Sequence, residues 1–157
     1  MKDIRMGDII RTGNDGDVVL LGYPEDRGVG INEGRLGARL GPEKFRHCLK
    51  KYGTADNPEW NIDLSCPNLS DAGDIPNEQT LEETHSRLRE KIGALLKNVV
   101  LPFAVGGGND QSYPNAAALM DYTADQPIGV INIDAHLDIP PPIRDSGSRT
   151  TSTRDTT

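Results

Sequence analysis

Apolar and polar positions fall into blocks along the chain, and the period changes from block to block. Residues 18–21 form a continuous apolar run closed by Gly22 and Pro24. Without polar alternation, such a run predicts a strand covered on both faces. A glycine-rich loop, "EDRGVGINEGRLGARLG", follows. The next stretch, "GPEKFRHCLKKYG", places Pro42 in a first helical turn, Phe45, Cys48 and Leu49 on an apolar stripe, and Gly53 at the end. Residues 57–78 are turn-rich, with a short strand expected over 62–64 and residues 70–74 arriving near strand ends. From Thr80, apolar residues at Leu81, Leu88, Ile92, Leu95 and Leu96 keep helical spacing, and Thr80 with Glu83 forms a capping box. "VVLPFAVGGG" then predicts a second strand, "QSYPNAAALMDY" a helix, and "PIGVINIDAH" a third strand with its apolar part at 128–133. Strands alternating with helices point to a doubly wound parallel sheet in the α/β class.

Composition changes this picture at the two ends. From Pro140 the chain turns to Pro, Ser, Thr and Arg, with Ile143 its single apolar residue. Such a segment buries too little surface to offset its ordering entropy. The expected organisation is an N-terminal extension (1–16), one partial α/β domain (17–139) and a disordered, divergent tail (140–157). At 157 residues, one domain is the default, and 35% hydrophobic with 26% charged residues is globular. A net charge of -7 and a pI near 4.9 argue against nucleic acid or an anionic membrane as partners, and favour a small-molecule substrate. Cys48 and Cys66 have no metal-knuckle spacing and read as reduced thiols. No apolar leader or membrane-length run is present, so a cytoplasmic location is expected.

The chemistry concentrates in two stretches, "GGGNDQ" (106–111) and "DAHLD" (134–138). Both fall at the carboxyl ends of predicted strands, where open parallel sheets bind ligands. On an extended segment, side chains at i, i+2 and i+4 point the same way, so Asp134, His136 and Asp138 would converge. Two carboxylates and an imidazole suit a hard or borderline cation such as Mn²⁺. A lone DxHxD is equally compatible with Asp134 capping a turn, His136 as a satisfied polar group at a strand end and Asp138 in solvent. The three preceding glycines, which allow close backbone approach, tip the reading toward a site. As a phosphate cradle the glycine loop lacks both the Lys-Ser/Thr ending and the GxGxxG spacing.

"VVLLGYPEDRGVGINEGRLGARLGPEKFR", "DAGDI", "PFAVGGGNDQSYPNA" and "VINIDAHLDI", in that order, resemble the N-terminal half of the ureohydrolase superfamily, which includes arginase and agmatinase. "GGGND" and the NxGRxGAxxGPxxxR loop resemble its formiminoglutamase branch. The resemblance implies a three-layer α/β/α fold with a mostly parallel sheet, arginase-like and truncated. It also implies a pair of Mn²⁺ ions at the strand ends, where activated water attacks an amidine or guanidine carbon. Carried over by position, Asp134 matches a bridging carboxylate, His136 a ligand of the second ion and Asp138 a ligand of the first. Asn109 stands where the family usually has histidine, and its neutral amide is a weaker donor. Asn32 and Arg35, in the loop after the first strand, become candidates for binding substrate carboxylates; the alternative for Arg35 is a surface charge beside a glycine turn. The family supplies further aspartates from a later DxD motif, which does not follow residue 138 here. The chain therefore reads as a truncated, alternatively spliced or mis-predicted product. Weak or single-ion binding and little hydrolysis are expected of it alone, and a homo-oligomer is possible. The rival reading is a non-catalytic relative that binds a partner subunit.

Overall fold

The structure, a computed structural model, describes residues 4–53, 56–63, 65–98, 100–124 and 126–134. The expected disorder of 140–157 lies outside them.

Strand β2, Val18–Tyr23, is the centre of the fold. Strand β5, Leu69–Asp74, pairs with it on one side and β6, Leu101–Gly106, on the other, both parallel. The two-residue strand β1, Arg11–Thr12, adds to the far side of β5, giving the order β1-β5-β2-β6. Being central, β2 needs apolar residues on both faces, which is why its run does not alternate. Val19, Leu21 and Tyr23 pack against Leu88, Ile92 and Leu95 of α4, Leu81–Lys97, and Ala118 of α5, Ser112–Thr123. The other face takes α3, Gly41–Leu49, whose Phe45 meets Phe103 of β6 with ring centroids 5.8 Å apart. Two helices on one face and one on the other make three layers.

Several elements start where local chemistry dictates. Pro42 opens α3, at a position where its missing N–H costs nothing. Thr80 and Glu83 close a reciprocal capping box at α4: the Thr80 hydroxyl accepts from the Glu83 N–H (3.1 Å) and Glu83 accepts from the Thr80 N–H (2.9 Å). A short α1, Met6–Ile9, precedes β1, and α2, Arg27–Ile31, lies in the loop after β2.

The chain passes from β2 through α3 to β5 on one side, then through α4 back past β2 to β6 on the other. The direction of winding reverses between β2 and β6. A crevice must therefore open beyond their carboxyl ends, where Tyr23 and Gly106 stand in register.

Four sequence expectations need correction. Residues 128–133 are not a strand: 127–134 carry no regular structure, and Val130, Ile131 and Ile133 are largely exposed. A strand exists only as a paired strand, and a double-faced apolar run needs backbone partners and cover on both faces, neither of which surrounds this segment among the described residues. Residues 69–74 form a full interior strand instead of a loop near strand ends. The short strand over 62–64 is β4, Ile62–Asp63, which pairs antiparallel with β3, Asp56–Asn57, in a separate hairpin; Leu64 lies outside the described residues. Helix α3 ends at Leu49, before Gly53.

Candidate functional site

The two loops at the crevice are joined backbone to backbone. Gly107 donates its N–H to the Tyr23 carbonyl (2.7 Å) and Gly108 to the Glu25 carbonyl (2.8 Å), extending the β2–β6 pairing past the strand ends. A Cβ at Gly107 would overlap the Glu25 carbonyl oxygen, so this approach requires glycine. A 3-10 turn, Asn109–Gln111, then leads into α5. Asn109 is exposed at the start of that turn, and its Oδ1 accepts the Ser112 hydroxyl at 3.0 Å.

The loop after β2 is held by buried charge. Glu25, 2% exposed, accepts the backbone N–H groups of Asp26 (2.9 Å) and Arg27 (2.7 Å) and both Nε and Nη2 of Arg27. Arg27 in turn donates to the Gln79 carbonyl (2.8 Å) and the Thr84 hydroxyl (3.0 Å), tying the loop to the start of α4. Burial alone would raise the Glu25 carboxyl; the Arg27 guanidinium and the backbone donors outweigh it and hold the group below the usual glutamate range. Asp26, also buried, accepts the N–H groups of Gly37 (2.8 Å) and Arg39 (3.3 Å), which keep its carboxyl low. These bonds pinch 26 against 37–39 and leave the residues between as a closed loop. Asn32 and Arg35 sit exposed on it, and among the described residues no hydrogen bond or ion pair engages the Arg35 guanidinium.

A polar cluster that the sequence did not reveal centres on Asp110, the residue after Asn109. The Tyr23 hydroxyl donates to Asp110 Oδ2 at 2.8 Å, and His85 Nε2 stands 2.7 Å from the same oxygen. Burial first, and then the Asp110 carboxylate, push the Tyr23 hydroxyl far above its ordinary range, so it remains a neutral donor. The one available signal was spacing: His85 continues the buried stripe of Leu88, Ile92 and Leu95 on α4.

Of the proposed metal donors, Asn109 and Asp134 are described, while His136 and Asp138 lie outside the described residues. Asp134 is exposed and off any strand, so the alternation argued for it does not apply. Among the described residues no group of three or more His, Cys, Asp or Glu side chains is placed to hold a metal ion. In donor type the four residues fit Mn²⁺, as oxygens plus one imidazole, and Asn109 Oδ1 keeps a lone pair beyond its single bond to Ser112. Cys66 Sγ contacts Asp63 Oδ2 at 3.5 Å, and both cysteines are exposed. Among the described residues no helix is long and apolar enough to cross a membrane.

The match to the arginase family runs over residues 16–154 and includes both crevice loops. The chain belongs to the arginase family. Within it, the chain is similar to the formimidoylglutamases of Klebsiella pneumoniae strain 342 (33% identity over 124 residues, 79% of this chain and 37% of the relative) and Macrococcus caseolyticus (37% over 138 residues, 87% and 40%). Its fold matches Trypanosoma cruzi formiminoglutamase with Mn²⁺ at a TM-score of 0.80 and 42% identity, covering 92% of this chain and 48% of that one. The Bacillus subtilis formimidoylglutamase structure matches at 0.66 and 26% identity. The chain spans about two fifths of the length of its curated relatives and corresponds to their N-terminal part. The arginase-like fold with its parallel sheet is thus established for this chain.

Proposed function

We propose that this chain carries the N-terminal part of a Mn²⁺-dependent site that hydrolyses formiminoglutamate to glutamate and formamide, a step of histidine breakdown in the cytoplasm. The observation that carries the reading is the 42% identity with a Mn²⁺-bearing formiminoglutamase over 92% of this chain. The glycine turn that bears Asn109 and the closed loop that bears Asn32 and Arg35 are both built here. Water adds to the formimino carbon, the bond from that carbon to the glutamate nitrogen breaks, and a proton goes to the departing amine. Bound Mn²⁺ supplies positive charge that acidifies water and stabilises charge developing on the amidine. Asp134, His136, Asp138 and Asn109 would hold the metal. Arg35, whose guanidinium has no partner among the described residues, would clamp a substrate carboxylate bidentately, with Asn32 of the same loop as a hydrogen-bond donor.

Two ions close together need several shared anions to offset their repulsion, and this donor set offers two aspartates and a neutral amide. The 157-residue chain assayed by itself therefore binds Mn²⁺ weakly, at one ion at most, and turns over little substrate. Calorimetric titration with Mn²⁺ checks the first statement, and two tight sites would overturn it. Formamide release from formiminoglutamate above an Asp134→Ala control, measured beside urea release from arginine and agmatine, assigns the substrate; urea release would move the chain to another branch.

A further inference from the structure

Three segments distant in sequence converge on one carboxylate oxygen beside Asn109. Asp110 Oδ2 is reached by Tyr23 from the end of β2 and by His85 from the second turn of α4. The Tyr23 and His85 rings stack, with centroids 6.2 Å apart and planes 27° off parallel, and Tyr113 of α5 leans on His85 at 6.3 Å. The His85 and Asp110 side chains are 16% and 18% exposed, so this is an interior contact. Asp110 Oδ1 is buried with no hydrogen-bond partner among the described residues. A Cβ at Gly28 would stand 2.8 Å from the Asp110 Cγ and Oδ1, so the loop after β2 closes over the carboxylate from its other side. A carboxylate offers acceptors only, which places the shared proton of this contact on His85 Nε2.

We propose that His85 and Tyr23 are positioning residues for Asn109: by gripping Asp110 they fix the 3-10 turn in which Asn109 presents its amide oxygen to the metal. The proposal rests on Asn109 being a metal donor. Asn109 and Asp110 share a peptide unit, so the grip on one limits the excursions of the other. A neutral amide binds a cation too weakly to order a loose turn at its own expense, so the ordering must exist beforehand. Side groups that orient a metal ligand typically change affinity 10–100-fold.

Free Mn²⁺ has a six-line electron paramagnetic resonance signal that binding removes, which allows titration of the full 157-residue chain with Mn²⁺ alone. Asn109→Ala is expected to weaken binding. His85→Leu and Tyr23→Phe should each weaken it by about tenfold, and His85→Gln, which keeps a donor near the Nε2 position, should restore most of it. If His85 acts through Asn109, the double variant His85→Leu/Asn109→Ala binds no worse than Asn109→Ala. Fully additive losses overturn the positioning role and leave the donor reading intact. Equal binding by wild type and Asn109→Ala overturns the donor reading, and the proposal with it. Where circular dichroism shows that His85→Leu does not fold, Tyr23→Phe, alone and combined with Asn109→Ala, decides by the same comparison.

Discussion

At the scale of single residues, the crevice is shaped by groups that leave no slack. Gly107 has the Glu25 carbonyl where a Cβ would go, and the obstacle is backbone that cannot rotate away. Gly107→Ala must therefore part the two loops, and should cost about 1–3 kcal/mol as an overpacking change, read as a lower urea midpoint. Glu25 gives a pH signature. Its folded-state pKa lies below the ordinary 4.5, so its contribution to stability is complete above that value and is lost as pH falls through the folded value. Unfolding curves from pH 7 to 3 should show stability falling below about 4.5. Glu25→Gln should flatten that slope, because it removes the group whose protonation differs between the two states. At pH 7 the same variant should cost about 2 kcal/mol, in the range of charge-assisted hydrogen bonds. An unchanged acid slope would mean that other carboxylates, such as Asp71 beside Arg46, carry the transition.

At the scale of elements, α4 shows what sequence alone could specify. Its capping box and buried stripe are both legible in the sequence, and Thr80→Ala should cost about 1 kcal/mol with a matching loss of helical ellipticity. Strand β2 and strand β6 were legible for the same reason: their apolar runs are long and end in Gly or Pro. Strand β5 was not, because its residues, "LSDAGD", are polar and are satisfied by distant partners. Ser70 donates to the Asp15 carbonyl, and Asp71 receives a bidentate pair of bonds from Arg46 at 2.6 and 2.9 Å. Tertiary partners thus override a composition that locally favours turns. The opposite holds at 128–133, where the pattern is strand-like but, among the described residues, no strand pairs with it. The site divides along the same line. Three consecutive glycines marked the Asn109 turn, whereas the Tyr23–Asp110 bond spans 87 positions and has no local signature.

At the scale of the whole molecule, the sheet is unevenly protected. Its β1 side is short and polar, but among the described residues β6 forms the opposite edge, with Leu101 and Phe103 about half or more exposed. Beyond α5, Ile131 and Ile133 are 89% and 94% exposed, which adds a second apolar strip. An unpaired strand edge flanked by apolar side chains is a template for association. The opposing force is the net charge of -7, which makes copies repel at long range. Salt separates the two contributions, since the Debye length falls from about 30 Å at 0.01 M to about 8 Å at 0.15 M while apolar burial is not screened. The chain should therefore sediment mainly as a monomer in dilute buffer and as larger species in 0.15 M salt, with mass rising further with protein concentration. Ile131→Lys with Ile133→Lys should shift that distribution back toward monomer, by removing apolar surface without touching the core around Val19, Leu21 and Leu88. A monomer that stays monodisperse in high salt and unfolds in one cooperative step would show that this edge is not adhesive, and that the apolar strip contributes nothing to association.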